Sequence, residues 1–275
     1  MRRDRLSADV TAVGMLALLC GAVPSAVVGS TALAYARAAA GRRARRNACP
    51  FEDDDDERRP LAREIADVVR ESGVLLHALG TIVRPAPRPW RSAAIRAGTG
   101  PVVVLVGEHR LLGGSMAGLG RRLARDLDAS IHVEPRGVGN DTTTRAARVA
   151  DQVVALAASS PARALLLIGH GAGGLVAHRA AAAVRLPRLR LVTLGTAHRQ
   201  GDELDARDRL VERTEVINVY SLHDARIRPA DRAYLPGAFN VALRDHGHFG
   251  LLHAERPYVI VCESLADLAA HAAAS

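Results

Sequence analysis

From about residue 99 to its end, the chain alternates short runs rich in Val and Leu with longer helical patterns. The short runs have the length and composition of buried strands, and they cover residues 101–107, 130–134, 164–168, 189–194, 215–221 and 239–243. Helical patterns cover residues 115–127 and 142–158, an Ala-rich stretch after residue 174, and residues 255–273. Such alternation builds a mainly parallel sheet with helices on both faces. The sequence therefore predicts an α/β fold with about six strands.

A glycine-rich turn follows the third predicted strand. Residues 169–174 read Gly-His-Gly-Ala-Gly-Gly and open the next helix, whose free N–H groups would face an anion or an oxyanion. A dinucleotide-binding turn has similar glycine spacing, but it follows the first strand and needs an acidic residue about 20 positions later. This chain reads Arg-Leu-Arg-Leu-Val there, and it contains no Lys for a phosphate-binding P-loop. We therefore expect no nucleotide and no other cofactor.

The first hundred residues have a different character. No charged side chain occurs from Val10 to Ala36, a stretch longer than the roughly 20 residues that a transmembrane helix needs. Arginines flank it on both sides and are denser after it, which favours a cytoplasmic C-terminal domain. Small residues near its end would also suit cleavage of a secretory signal. The segment is predicted to be a membrane anchor, and secretion after signal cleavage is the alternative.

Three parts of the chain are predicted. Residues 1–60 hold the hydrophobic segment and a charged linker, whose acidic run at residues 52–57 lacks the Gly and ligand spacing of a calcium loop. Residues 61–98 hold an amphipathic helix, which could lie on a membrane surface or pack on the following domain, and a Pro-rich connector. Residues 99–275 form the α/β domain.

Charge and cysteine content narrow the possible partners. The net charge is +8, but 16 Arg stand against 11 acidic residues in residues 1–100, and 21 against 18 in the remainder. The basic excess therefore lies beside the hydrophobic segment, and with only 3% aromatic residues a nucleic-acid partner is not expected. Cys20, Cys49 and Cys262 have neither metal-ligand nor redox spacing, so they are interpreted as small packed residues.

Four segments, in order along the α/β domain, resemble the α/β-hydrolase superfamily, in particular small membrane-associated lipases and esterases. Residues 165–177 resemble the strand, nucleophile elbow and helix around the motif Gly-His-Ser-x-Gly-Gly, and residues 192–198 resemble a Leu-Gly-Thr-Pro-His segment with Ala197 in place of Pro. Residues 219–224 resemble the loop of the triad acid, and residues 247–252 that of the triad histidine. The resemblance implies that Asp224 and His248 are the acid and the histidine, in the chain order of this fold. It also implies that Gly107 and Ala172 lie at the oxyanion site and the elbow.

The elbow departs from this pattern, because Gly171 stands where the resemblance places the nucleophilic Ser. Acyl transfer needs an oxygen or sulfur nucleophile activated by His, and glycine has neither. Glu108 also stands in the oxyanion loop, where a carboxylate pointing inward would oppose the developing negative charge. Both departures indicate impaired chemistry.

Other residues are weaker candidates. Ser115 is interpreted as a helix N-cap rather than a substitute nucleophile. Thr196 and His198 are assigned ordinary strand-end roles, and His170 is expected to point away from the site. His246 and His248 lie two positions apart, but no further ligand cluster is evident, so no metal is predicted.

Two hypotheses follow. In the first, this is a membrane-associated, lipase- or esterase-like pseudoenzyme that binds an ester- or lipid-like small molecule or a protein partner. In the second, it is an active carboxylic-ester hydrolase that uses the Asp224–His248 pair with water or a substitute nucleophile. Whether the protein is an enzyme, and its oligomeric state, stay open at this point.

Overall fold

The computed structural model describes residues 69, 94–96, 100–108, 116–134, 141–160, 164–198, 214–227, 230–244 and 246–274. The predicted membrane segment, the acidic run, the Pro-rich stretch at residues 84–90 and Ser115 lie outside these ranges. The predicted amphipathic helix also lies outside them, apart from Val69, which is helical and exposed.

The domain is built on one seven-stranded sheet. Its strands are β1 (Ala94–Arg96), β2 (Val102–Val106), β3 (Ser130–Val133), β4 (Leu165–His170), β5 (Leu189–Leu194), β6 (Glu215–Ser221) and β7 (Phe239–Leu243). Their order in the sheet is β1-β3-β2-β4-β5-β6-β7, and all neighbours are parallel except β1 and β3. The six predicted strands are confirmed.

The antiparallel edge strand β1 was not predicted. It is three residues long, too short for a period-2 pattern to be visible, and it pairs with β3 through an irregular register. The sheet therefore begins before residue 99, where the sequence analysis places the start of the α/β domain. Strand β1 forms because it pairs with β3, more than thirty residues further along the chain, and no local sequence signal indicates it.

Helices cover both faces of the sheet, as predicted. They are α1 (Ala117–Asp126), α2 (Thr142–Ser159), α3 (Ala172–Ala183), α4 (Gly250–His253) and α5 (Glu255–Ala274), and a 3₁₀ turn covers Ala230–Ala233. On β2, Val103 and Leu105 face the core shared with α1 and α5, whereas Val102, Val104 and Val106 face the core shared with α2 and α3. Both faces of this strand are buried, which explains its uninterrupted apolar run.

Helix α3 lies unusually close to the loop after β5. A methyl group at Gly174 would lie 1.8 Å from Thr196 Oγ1 and 2.8 Å from its Cβ. Thr196 is fully buried, so it has little room to move. Gly174 is therefore required by the close packing of this helix on the sheet.

We expect Gly174→Ala to lower the free energy of unfolding by about 1–3 kcal/mol, because the added methyl group overpacks a closed contact. Urea denaturation measures the change. In the double variant Gly174→Ala/Thr196→Gly, the overlapping atoms are absent, so its loss should be smaller than the sum of the two single losses. Additive losses would contradict this account of the contact.

None of the helices in the described part of the chain combines the length and the hydropathy that a bilayer crossing requires.

Candidate functional site

The turn between β4 and α3 places Gly171 at the carboxyl edge of the sheet. Its backbone has φ 56° and ψ −127°, a combination of the mirror-β region that side chains disfavour and glycine adopts readily. The Gly171 N–H donates to Leu194 O at 3.0 Å, and the Gly174 N–H donates to Gly171 O at 3.0 Å. These hydrogen bonds hold a sharp strand-to-helix turn, the geometry of a nucleophile elbow.

Asp224 and His248 meet beside this turn. His248 Nδ1 is 2.7 Å from Asp224 Oδ2, and both side chains are almost completely buried. The second carboxylate oxygen, Asp224 Oδ1, accepts the N–H groups of Arg226 at 2.8 Å and Ile227 at 3.3 Å. The loop after β6 therefore presents a fixed carboxylate to a histidine from the loop after β7, which orients the ring and leaves Nε2 facing the turn.

The side-chain direction of Gly171 points at His248 Nε2. A methyl group at this position would lie 3.1 Å from Nε2 and 3.1 Å from Glu108 Cδ. The structure therefore brings together Gly171, Asp224 and His248, which the sequence analysis singles out from segments far apart in the chain. It also shows that the carboxylate of Glu108 lies in front of the position where a nucleophile would stand.

Glu108 points inward, as the sequence analysis considered. Its Oε2 is 3.5 Å from His248 Nε2, and its Oε1 accepts a hydrogen bond from Arg226 Nη2 at 2.9 Å. The Arg226 guanidinium also lies over the Phe249 ring, 5.5 Å from its centroid. The charges alternate from Asp224 through His248 and Glu108 to Arg226, so the network is neutral when all four groups are ionised.

This network shifts the two central pKa values in opposite directions. Burial raises the pKa of Glu108, but the 3.5 Å contact with His248 and its charge, and then the charge of Arg226, outweigh burial and lower it to about 2. Burial lowers the pKa of His248, but the charge and hydrogen bond of Asp224, and then the contact and charge of Glu108, outweigh burial and raise it to about 9. At neutral pH the site therefore contains an imidazolium between two carboxylates.

We expect the His248 ring to titrate near pH 9 in NMR spectra of the folded protein, and Glu108→Gln to lower that pKa. Because the folded pKa exceeds the unfolded value, the charged ring stabilises the fold fully below about pH 6.5. That contribution is lost as the pH rises through 9. A titration of His248 near its ordinary pKa, unchanged by Glu108→Gln, would contradict the proposed network.

A buried arginine holds the loop that carries Glu108. Arg145, on α2, pairs with Glu134 through Nε–Oε1 at 2.7 Å and Nη2–Oε2 at 2.5 Å, and both side chains are buried. Arg145 also donates to the main-chain oxygens of Gly107 at 2.7 Å and Glu108 at 3.3 Å. The sequence analysis missed this residue, because only the fold places a helix arginine behind the loop after β2.

His170 does not point away from the site as expected. Its Nε2 is 3.1 Å from the main-chain oxygen of His248, and the two rings are 4.5 Å apart between centroids. Burial, and then the charge of His248, lower the pKa of His170 to about 3, so its ring is neutral. One nitrogen from each histidine and a carboxylate oxygen of Glu108 all lie within 4.8 Å of one another.

Other candidate residues lie around the site or away from it. Gly107 is the first residue after β2, and Ala172 is the first residue of α3, so both lie at the carboxyl edge of the sheet. Oxyanion binding by their N–H groups stays a prediction. Thr196 packs against Gly174, and His198 lies in a buried network with Thr193 and Asn218.

Comparison with known proteins gives similarity at the level of structure. No protein-family model and no curated protein matches this sequence. A gene product of Listeria innocua is 13% identical, with a TM-score of 0.45, over 59% of this chain and 92% of the other. A lidless α/β serine hydrolase of Xanthomonas campestris is 17% identical (TM-score 0.45; 62% and 82% covered), and an α/β serine hydrolase homologue of Coxiella burnetii is 14% identical (0.44; 60% and 83%).

The strand order of the sheet, together with the positions of three residues at its edge, identifies the fold. Gly171, Asp224 and His248 follow β4, β6 and β7 in that order along the chain, and parallel strands bring all three to one edge of the sheet. A mainly parallel sheet with this strand order, in which these three positions meet at one edge, is the fold of the α/β hydrolases.

Proposed function

We propose that this protein is an α/β-hydrolase-fold protein that has lost serine-type ester hydrolysis and binds an ester- or lipid-like small molecule at the carboxyl edge of its sheet. One observation carries the proposal. At the elbow, Gly171 supplies no nucleophile, and the Glu108 carboxylate lies 3.1 Å from where a side chain would begin. The covalent route through an acyl-enzyme is therefore closed at that position.

The charge state of His248 supports the same conclusion. A general base has to be unprotonated when it takes a proton, and the pKa of His248 is raised to about 9 by Asp224 and Glu108. In addition, negative charge that develops on a substrate carbonyl beside Gly171 would be opposed by the Glu108 carboxylate, whose Cδ lies 3.1 Å from where a side chain would begin. Asp224 and Glu108 therefore hold His248 in position, but the protonated ring does not activate a nucleophile at neutral pH.

The fold supports this location for the ligand. In open α/β sheets, small molecules bind outside the carboxyl ends of the strands, where loops from several strands meet. Here the loops after β2, β4, β6 and β7 meet around Gly171. The resemblance to lipases and esterases makes an ester- or lipid-like molecule the ligand class that we propose.

Hydrolysis by water is the second candidate function, and the 2.7 Å contact between Asp224 and His248 favours it. In this mechanism neutral His248 would take a proton from water as the water attacks the ester carbonyl, and would return it to the alkoxide oxygen as the C–O ester bond breaks to give acid and alcohol. The rate would then rise with pH as His248 loses its proton near pH 9. A rate that follows this titration and disappears in His248→Ala would favour this candidate.

The main test measures hydrolysis and binding with the full chain. At neutral pH we expect no turnover of p-nitrophenyl butyrate and no labelling by a fluorophosphonate probe. Saturable binding of methylumbelliferyl butyrate is expected, and Gly171→Leu should weaken it by filling the edge of the site, with far-UV circular dichroism as the control for folding. Turnover in the unmodified chain that His248→Ala abolishes would overturn the loss of chemistry, and absence of saturable binding would overturn the ligand role.

We also propose that the segment from Val10 to Ala36 anchors the protein in a membrane. Its uncharged length and the flanking arginines support this. The full chain should then remain in the membrane fraction after carbonate extraction, whereas a chain without residues 1–60 should be released. Recovery of a shortened, released form of the full chain would instead favour a cleaved signal.

A further inference from the structure

The cluster formed by Glu108, His170 and His248 contains two buried ring nitrogens whose hydrogen-bonding capacity is unused. His170 Nδ1 and His248 Nε2 make no hydrogen bond among the described residues, and their rings are 0% and 3% exposed. Glu108 Oε2 is the nearest charged atom to His248 Nε2, at 3.5 Å. Buried polar atoms normally have a partner, so two such atoms in one cluster call for an explanation.

In each ring the other nitrogen already faces an oxygen atom, so only one nitrogen of each histidine is left for a ligand. His248 Nδ1 faces the Asp224 carboxylate at 2.7 Å, and His170 Nε2 faces the main-chain oxygen of His248 at 3.1 Å. A histidine that binds a metal donates its far N–H to a carboxylate or a carbonyl oxygen, which turns the other nitrogen towards the ion. Both histidines of this cluster have that arrangement.

We propose that Glu108, His170 and His248 bind one divalent transition-metal ion, and that Zn²⁺ fits the set best. Two imidazole nitrogens and one carboxylate oxygen, all within 4.8 Å of one another, are a ligand set of open zinc sites. The absence of a side chain at Gly171 leaves the space between these ligands free of a methyl group that would lie 3.1 Å from His248 Nε2. To bind one ion, the three side chains would have to close on it from this spacing, because Zn–N and Zn–O bonds are about 2.0–2.2 Å long.

The surrounding charges on balance favour a dication. The carboxylates of Glu108 and Asp224 both face His248, while Arg226 opposes a cation through its ion pair with Glu108 at 2.9 Å. On binding, the ion takes the place of the His248 Nε2 proton, which is released to solvent. His170 is already neutral and loses no proton. The proposal concerns metal binding alone and holds whether or not the site binds or hydrolyses an ester.

The test is isothermal titration of the metal-free full chain with Zn²⁺, followed by absorption spectra with Co²⁺. We expect one Zn²⁺ per chain, micromolar or tighter affinity, and the visible bands of four-coordinate Co²⁺. Glu108→Gln and His170→Gln should each weaken binding at least about 10-fold. His246→Ala, which removes a histidine of the same loop outside the cluster, should leave the affinity unchanged.

Several results would overturn the site. They are the absence of saturable binding at one ion per chain, an affinity that neither Glu108→Gln nor His170→Gln reduces, or an equal loss in His246→Ala. If the buried His170 variant does not fold, Glu108→Gln decides the matter, because it is nearly isosteric and its side chain is partly exposed. Ester turnover is recorded separately, so a negative metal titration leaves the proposed function as it stands.

Discussion

The double variant Gly171→Ser/Glu108→Gly is expected to hydrolyse p-nitrophenyl butyrate at least about 10²-fold faster than the unmodified chain, because removing a triad nucleophile costs far more than that. Gly171→Ser alone should gain little. Its Cβ would lie 3.1 Å from Glu108 Cδ and 3.2 Å from Glu108 Cβ, so the new side chain and the carboxylate compete for one space.

Removing Glu108 has two effects that work together. It clears the space in front of Gly171, and it removes a carboxylate that raises the pKa of His248, so the ring becomes a better base at neutral pH. The measurement is the initial rate of nitrophenolate release at about pH 7.5 for both single variants and the double variant.

Two controls make the result specific. Adding His248→Ala to the double variant should abolish the gain, because the serine then has no base. Glu108→Gly alone should stay inactive, because no nucleophile is present. A gain in Gly171→Ser equal to that in the double variant would show that Glu108 does not block the site.

Arg145→Met is expected to lower the free energy of unfolding by about 3–5 kcal/mol. The change leaves the buried carboxylate of Glu134 without its partner and removes the donors to the main-chain oxygens of Gly107 and Glu108. Urea denaturation followed by circular dichroism measures the loss.

Matched variants separate this buried pair from a general effect of losing an arginine. Arg256→Met, an exposed position on α5, should change the free energy of unfolding by less than about 0.5 kcal/mol. Arg145→Met/Glu134→Leu should recover much of the loss, because no charge remains buried without a partner. Equal losses at Arg145 and Arg256, or no recovery in the double variant, would contradict the role of this ion pair.

Strong local patterns made the sheet and the covering helices predictable from sequence. Buried parallel strands need apolar side chains on both faces, so β2 and residues 165–168 of β4 are continuous apolar runs that are easy to recognise in the sequence. The Asp141 side chain accepts the Thr144 N–H at 2.8 Å and marks the start of α2. Strand β1 has no such pattern, since three residues at a sheet edge carry too little information.

The membership of the candidate site was also visible in the sequence, through the short segments around Gly171, Asp224 and His248. The roles of their neighbours were not. His170 was expected to point away from the site, whereas its ring, at the end of β4, packs against His248 and its Nε2 is 3.1 Å from the main-chain oxygen of His248. Arg226 gave no signal, since pairing with Glu108 spans 118 positions of the chain.

The sequence by itself determined the α/β architecture, the order of its segments and the absence of a nucleophilic side chain at residue 171, because these depend on residue type and local periodicity. Only the tertiary structure decided that Glu108 stands in front of that position, that Asp224 and Glu108 raise the pKa of His248, and that one nitrogen each of His170 and His248 and a carboxylate oxygen of Glu108 lie within 4.8 Å of one another. These pKa values and side-chain directions depend on which loops meet at the sheet edge, because contacts between segments far apart in the sequence determine them.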